Sequence, residues 1–130
     1  MDEIKTMDEI DEQEYEAAMK KAEESQDTFV FDFRKPFVFE DESFDNLTFD
    51  FGSMTAEDSL AIEAELAAIN QPALVFAFSG EYLIRLAMRA CTTRRKDGRR
   101  LGIDAFKKLP LFAYARIRDR ARSFLLHAES

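Results

Sequence analysis

The sequence has one cysteine, Cys91, and one histidine, His127, among its 130 residues. A single thiol excludes a disulfide framework, and this pair cannot build a multi-cysteine zinc site or a histidine cluster. Tryptophan is absent, and the four glycines, Gly52, Gly80, Gly98 and Gly102, are scattered. Without glycines clustered at a strand–helix junction there is no phosphate-cradling loop. No apolar run approaches the ~20 residues that a membrane span requires. The N-terminus is acidic, where a secretory signal needs a basic start and an apolar stretch. These absences predict a soluble, intracellular protein that binds no metal and uses no cofactor.

What the chain does hold is charge segregated by sign, together with phenylalanine. Residues 1–65 carry 21 Asp/Glu against 5 Lys/Arg, and residues 66–130 carry 5 against 13. The sum is −8, with 46% hydrophobic residues and 13 Phe. That is too apolar for a wholly disordered chain, and the length suits one core.

Residues 1–28 read as an acidic flexible arm. Met1-Asp2-Glu3-Ile4 recurs as Met7-Asp8-Glu9-Ile10, and Asp8 to Glu16 includes six acids. Tyr15, Ala18, Met19 and Ala22 have helical spacing, but the stripe is thin and its neighbours repel. Residues 29–130 read as a single α+β domain: a small hairpin or three-strand sheet, then a bundle of three to four helices.

Phe29, Phe31 and Phe33 alternate with polar or smaller residues, as do Phe37 and Phe39, and Leu47, Phe49 and Phe51. Period two places each set on one face of a sheet. Lys35-Pro36 predicts a break between a strand at 29–34 and a hairpin pairing 37–40 with 47–51. Asp41-Glu42-Ser43 and Asp45-Asn46 are turn material. Thr55 is placed to cap a helix carrying Ile62, Leu66 and Ile69, which ends before Pro72. The run Ala73 to Phe78 fits either a buried strand or a helical turn. Ser79 caps a second helix with a wide stripe of Leu83, Leu86, Ala87, Ala90 and Cys91, leaving Arg85 and Arg89 on the polar side. A short helix from Ile103 ends near Pro110. A last one, with Leu111, Tyr114, Ile117, Ala121, Phe124 and Leu125 as its stripe, carries Arg116, Arg118, Arg120 and Arg122.

No catalytic constellation emerges. Cys91 lies on an apolar stripe, whereas a nucleophilic thiolate needs partial exposure and a neighbouring base. Glu40, Asp41 and Glu42 share one solvated turn, whereas acid–base pairs need contrasting environments. The run Arg94 to Arg100, with four arginines and Lys96, raises nucleic-acid binding as an alternative, extended by Arg85, Arg89, Arg116 and Arg120. The net charge of −8 and poor aromatic interleaving argue against it. If residues 29–34 form an edge strand, their free backbone groups can pair with a partner.

From residue 29 onward the order of signals resembles the phage tail assembly chaperone family, small proteins encoded between the tail tube and tape measure genes. The residues are Lys35-Pro36-Phe37-Val38-Phe39-Glu40, then Phe44 to Phe51. Met54-Thr55-Ala56-Glu57-Asp58 follows, leading into a helix that ends Ala67-Ala68-Ile69. Next come Ser79-Gly80-Glu81-Tyr82-Leu83, Phe106-Lys107-Lys108-Leu109-Pro110 and the closing Phe124-Leu125. The chain departs from the family in its long acidic arm and its basic loop from Thr92 to Arg100.

The resemblance implies a non-enzymatic helper of tail assembly that coats the tape measure protein and helps recruit tail tube subunits. It implies action in the host cell cytoplasm, absence from the mature virion, and in many members a longer product made by frameshifting. Self-association is a further expectation from the oppositely charged halves. The expected partner-binding residues are Phe29, Val30 and Phe31 of the strand, with Arg85, Arg89, Arg116 and Arg120 of the helices.

Overall fold

A computed structural model describes residues 27–128, as a two-stranded antiparallel sheet followed by four helices. The predicted arm lies outside the described residues except for Asp27 and Thr28, and Thr28 already belongs to the first strand. The α+β arrangement matches the sequence reading, with two strands in place of three.

Strands β1 (Thr28–Phe39) and β2 (Glu42–Asp50) form one long hairpin. Its turn is Glu40-Asp41, with φ of 49° and 63°. Positive φ at both central residues matches the right-handed strand twist, and Asp tolerates that region better than most residues. The turn therefore comes earlier than the sequence reading placed it. Phe37 pairs with Phe44 and Phe39 with Glu42, while Thr28 to Asp32 pair with Asp50 to Asn46. The expected pairing of 37–40 with 47–51 is overturned.

Lys35-Pro36 does not end the strand, but it does interrupt the ladder. Four residues of β1, Phe33 to Pro36, stand opposite one of β2, Asp45. Proline offers no N–H, so it sits where the ladder is already open. Across the bulge Arg34, Lys35 and Pro36 are exposed in succession, while on either side Phe31, Phe37 and Phe39 are buried with Phe33 partly so. β2 breaks its own alternation: Asp45 and Asn46 are both exposed between buried Phe44 and Leu47. That break lets all these apolar side chains share one face.

After a 3-10 turn at Phe51–Ser53 comes α1 (Ala56–Ala68). The Asp58 carboxylate accepts the Thr55 N–H at 2.8 Å, one arm of a capping box. A second 3-10 turn, Phe76–Phe78, precedes α2 (Gly80–Ala90), where the Ser79 hydroxyl accepts the Tyr82 N–H at 3.1 Å. Helices α3 (Ile103–Lys107) and α4 (Leu111–Ala128) complete the fold.

Helix α2 is the centre. Six consecutive residues, Tyr82 to Ala87, are buried, because α1, α3, α4 and β2 all contact it. Its predicted stripe, Leu83, Leu86, Ala87, Ala90 and Cys91, is buried throughout. A file of stacked rings ties the sheet to the C-terminal helix: Phe29–Phe49 at 6.0 Å, Phe49–Phe51 at 5.9 Å and Phe51–Phe124 at 5.5 Å. Offset stacking adds to the area these rings bury. On α4 the buried line is Ala113, Ile117 and Ala121. Leu111, expected on it, is exposed because it lies two residues before that line.

The two sheet edges differ. The outer edge of β2 is stitched by the segment after α2: Thr92 N–H donates to the Thr48 carbonyl at 2.8 Å, and Thr48 N–H to Thr93 Oγ1 at 2.9 Å. β1 has no second strand among the described residues.

Candidate partner-binding surfaces

The seven residues expected to bind a partner fall into three places. Arg85 and Arg89 are on α2, and the first is a correction. Arg85 is only 6% exposed, not on an open polar face. Helix α1 covers that side of α2 and brings Glu65 and Asp58 with it. Arg85 pairs with Glu81 one turn earlier and with Glu65 at 3.4 Å. Arg89 pairs with Asp58 at 2.9 Å and Glu65 at 3.9 Å. Burial opposes ionisation of Asp58, but the Thr55 N–H and the Arg89 guanidinium outweigh it and hold the carboxyl below its ordinary range. Burial likewise opposes ionisation of Glu81, and Arg85 and Lys107 pull its value down harder.

The basic loop is partly consumed internally, through Arg95 and Arg99. Arg95 pairs with Glu40 at 3.1 Å and Glu42 at 3.3 Å, and the Lys96 N–H donates to Glu42 at 2.9 Å. Arg99 pairs with Asp97, and Arg100 donates to the Arg89 carbonyl at 2.7 Å. The loop thus clamps the acidic hairpin turn, with Arg95 lying 5.3 Å from the Phe39 ring centre.

Phe29, Phe31, Arg116 and Arg120 do come together. Helix α4 runs antiparallel to the first half of β1. Arg120 lies 5.4 Å over the Phe29 ring and reaches the Thr28 carbonyl at 3.4 Å. Further along, Phe112 of α4 meets Phe31 at 6.0 Å. Arg116 at 5.7 Å and Arg34 at 5.8 Å both lie over the Phe112 ring. Beneath Phe112 is an apolar depression of about 180 Å³, bounded by Phe31, Phe33, Lys35 and Pro110. This is a cationic, aromatic strip. Val30 is exposed on the opposite face of β1 and does not join it.

A second surface was not foreseen. A groove of about 590 Å³ lies among α2, α3 and the start of α4, lined by Gly80, Glu81, Ile84, Leu109, Leu111 and Tyr114. It continues across Gly80 and Glu81 into a depression of about 530 Å³ bordered by Pro72, Leu74, Val75 and Phe78. Leu74 is 96% exposed, Leu111 78% and Phe78 77%. Gly80 shapes the junction: a Cβ there would stand 2.6 Å from the Tyr114 hydroxyl.

Of the two alternatives for the run Ala73 to Phe78, the helical turn is the one observed, at Phe76–Phe78, and the buried strand is not. The run is a coil and a 3-10 turn that insert Phe76 and Ala77 and leave Leu74, Val75 and Phe78 outside. Phe76 stacks on Tyr82 with ring centres 4.3 Å apart. The run's shortness after Pro72 was the available signal, since six residues cannot complete a buried helix.

Cys91 is buried, and burial pushes its thiol pKa up despite Thr93 and nearby arginines. A raised pKa disfavours the thiolate. Among the described residues no group of His, Cys, Asp and Glu side chains gathers as metal ligands, and no helix is long and apolar enough to cross a membrane. In comparisons with known proteins, no family model matches the chain, and neither a curated protein nor a solved structure matches it.

Proposed function

We propose that this protein is a non-enzymatic phage tail assembly chaperone, which binds helical stretches of the tape measure protein and helps recruit tail tube subunits. The observation that carries this reading is the α2–α4 groove with Leu74, Val75, Phe78 and Leu111 standing exposed around it. Apolar side chains grouped around a concave surface suit the apolar face of an amphipathic helix, docked by anchors at helical spacing. The groove's polar pair, Glu81 with Lys107 at 3.3 Å, lies on its wall and favours a reversible contact over a permanent one. Action in the host cytoplasm and absence from the finished virion belong to the same proposal.

The test is co-expression with helical fragments of the tape measure protein encoded beside this gene. The intact chain is expected to retain a fragment, and Leu74→Asp/Phe78→Asp to lower its affinity at least ~10-fold, as loss of central anchors does. Both positions are exposed, so melting should stay unchanged. Equal retention by both chains, or a coding region far from any phage morphogenesis cluster, overturns the proposal.

The nucleic-acid alternative draws less support, because Arg95 and Arg99 of the Arg94–Arg100 loop are already paired with Glu40, Glu42 and Asp97. A gel shift abolished by Arg116→Glu/Arg120→Glu and by rising salt would favour it.

A further inference from the structure

Along β1 and α4, Arg34, Lys35, Arg116 and Arg120 form no ion pair among the described residues, whereas Arg85, Arg89, Arg95, Arg99, Lys107, Arg118 and Arg122 do. Arg94, Lys96, Arg100 and Lys108 are also without an ion pair, but of all these cations only the strip's lie beside the point where residues 1–26 join the described chain. Arg34 and Arg116 lie over the Phe112 ring, which is more than half exposed, Lys35 borders the depression beside it, and Arg120 extends the strip to Phe29. A peptide rich in carboxylates that also carries an apolar stripe complements such a surface in both charge and apolarity.

The chain supplies that peptide itself. Residues 1–26 hold ten Asp/Glu against three Lys. Tyr15, Ala18, Met19 and Ala22 recur at helical spacing, with Asp11, Glu12, Glu14 and Glu16 beside them. The segment joins the described chain at the strip: it ends at Asp27, and the carbonyl of Thr28 already accepts from Arg120. The five residues Glu23 to Asp27 reach up to ~16 Å when extended. From Arg120 to Phe112 along α4 is ~12 Å. The stripe can therefore lie over Phe112 with no strain in the connection.

We infer that residues 1–26 dock in cis on the cationic strip formed by Arg34, Lys35, Phe112, Arg116 and Arg120. A tether this short gives an effective concentration of the order of millimolar. Contacts too weak to hold two separate molecules then suffice. The inference stands on charge and connectivity alone, independent of the partner proposed above.

The full-length chain with Gln13→Cys and Cys91→Ala, carrying a nitroxide at position 13, tests this by amide NMR. At about 50 mM salt, amides from Leu111 to Arg120 are expected to broaden, and at about 1 M salt to recover, because screening shortens the Debye length to ~3 Å. Arg116→Glu/Arg120→Glu should abolish the broadening, and adding Glu12→Arg/Glu16→Arg should restore it. Absence of broadening at low salt overturns the inference. So does broadening that survives the charge reversal, which seats the segment elsewhere. Equal broadening in a mixture of isotope-labelled chain and separately spin-labelled chain assigns the contact to a second copy and overturns docking in cis.

Discussion

Arg85 and Arg116 are the same residue type on adjacent helices, in opposite circumstances. Arg85 is enclosed by α1 and held by two carboxylates, whereas Arg116 stands exposed with only an aromatic ring beneath it. The difference comes from what covers each helix. The acidic α1 lies on α2, and charges buried together must be paired. Over the start of α4 the described chain places only the β1 bulge, which brings further cations, Arg34 and Lys35. The basic half thus holds arginines neutralised inside the fold, as Arg85 and Arg89 are, and others, like Arg116, that no carboxylate of the described residues holds.

The comparison breaks if removing Arg85 is harmless. Arg85→Ala is expected to destabilise by about 2 kcal/mol in urea unfolding, below the usual 3–5 for a buried pair because Glu65 and Glu81 keep partial access to water. The groove between the two regions gives the next largest effect. Gly80→Ala should cost about 1 kcal/mol, since the Tyr114 hydroxyl must move. In a Tyr114→Phe background the sign should reverse, because alanine is then the better helix former.

The paired region should also be the more acid-sensitive one. Asp58 and Glu81 both have folded values lowered from the ordinary ones. Their contribution is therefore complete above the unfolded carboxylate range and lost as pH falls through the folded values. Unfolding free energy should decline from about pH 5 downward, and Arg89→Gln should make the decline shallower. Smallest of all, Arg116→Ala should shift stability by no more than ~0.5 kcal/mol while changing the strip's charge. A larger loss would mean that the strip helps hold the fold together.

Much of the fold was legible because its signals are local. Alternating phenylalanines declared the sheet face, Thr55 and Ser79 marked two helix starts, and Pro72 and Pro110 bounded others. The turn at Glu40-Asp41 was only partly legible: Asp41 was read as turn material, but Glu40 is a poor turn former and the polar residues up to Asn46 competed for the role. Arg85 was misread for a different reason: helical periodicity assigns one polar side, but it cannot say that α1 will cover that side. The strip was half legible. Phe29, Phe31, Arg116 and Arg120 were named from sequence, while Arg34 and Phe112 meet them only through tertiary packing. The groove was hidden because exposed and buried leucines look alike in a sequence, and Leu111 was assigned to the buried stripe.

The Phe33–Pro36 bulge locates where this protein can change length. Arg34, Lys35 and Pro36 are exposed in succession there, and the four residues face a single one of β2, so the segment holds slack that strict pairing lacks. In the paired stretches on either side, losing one residue would turn the buried rings out toward water. Insertions and deletions should therefore be tolerated at the bulge and not beside it.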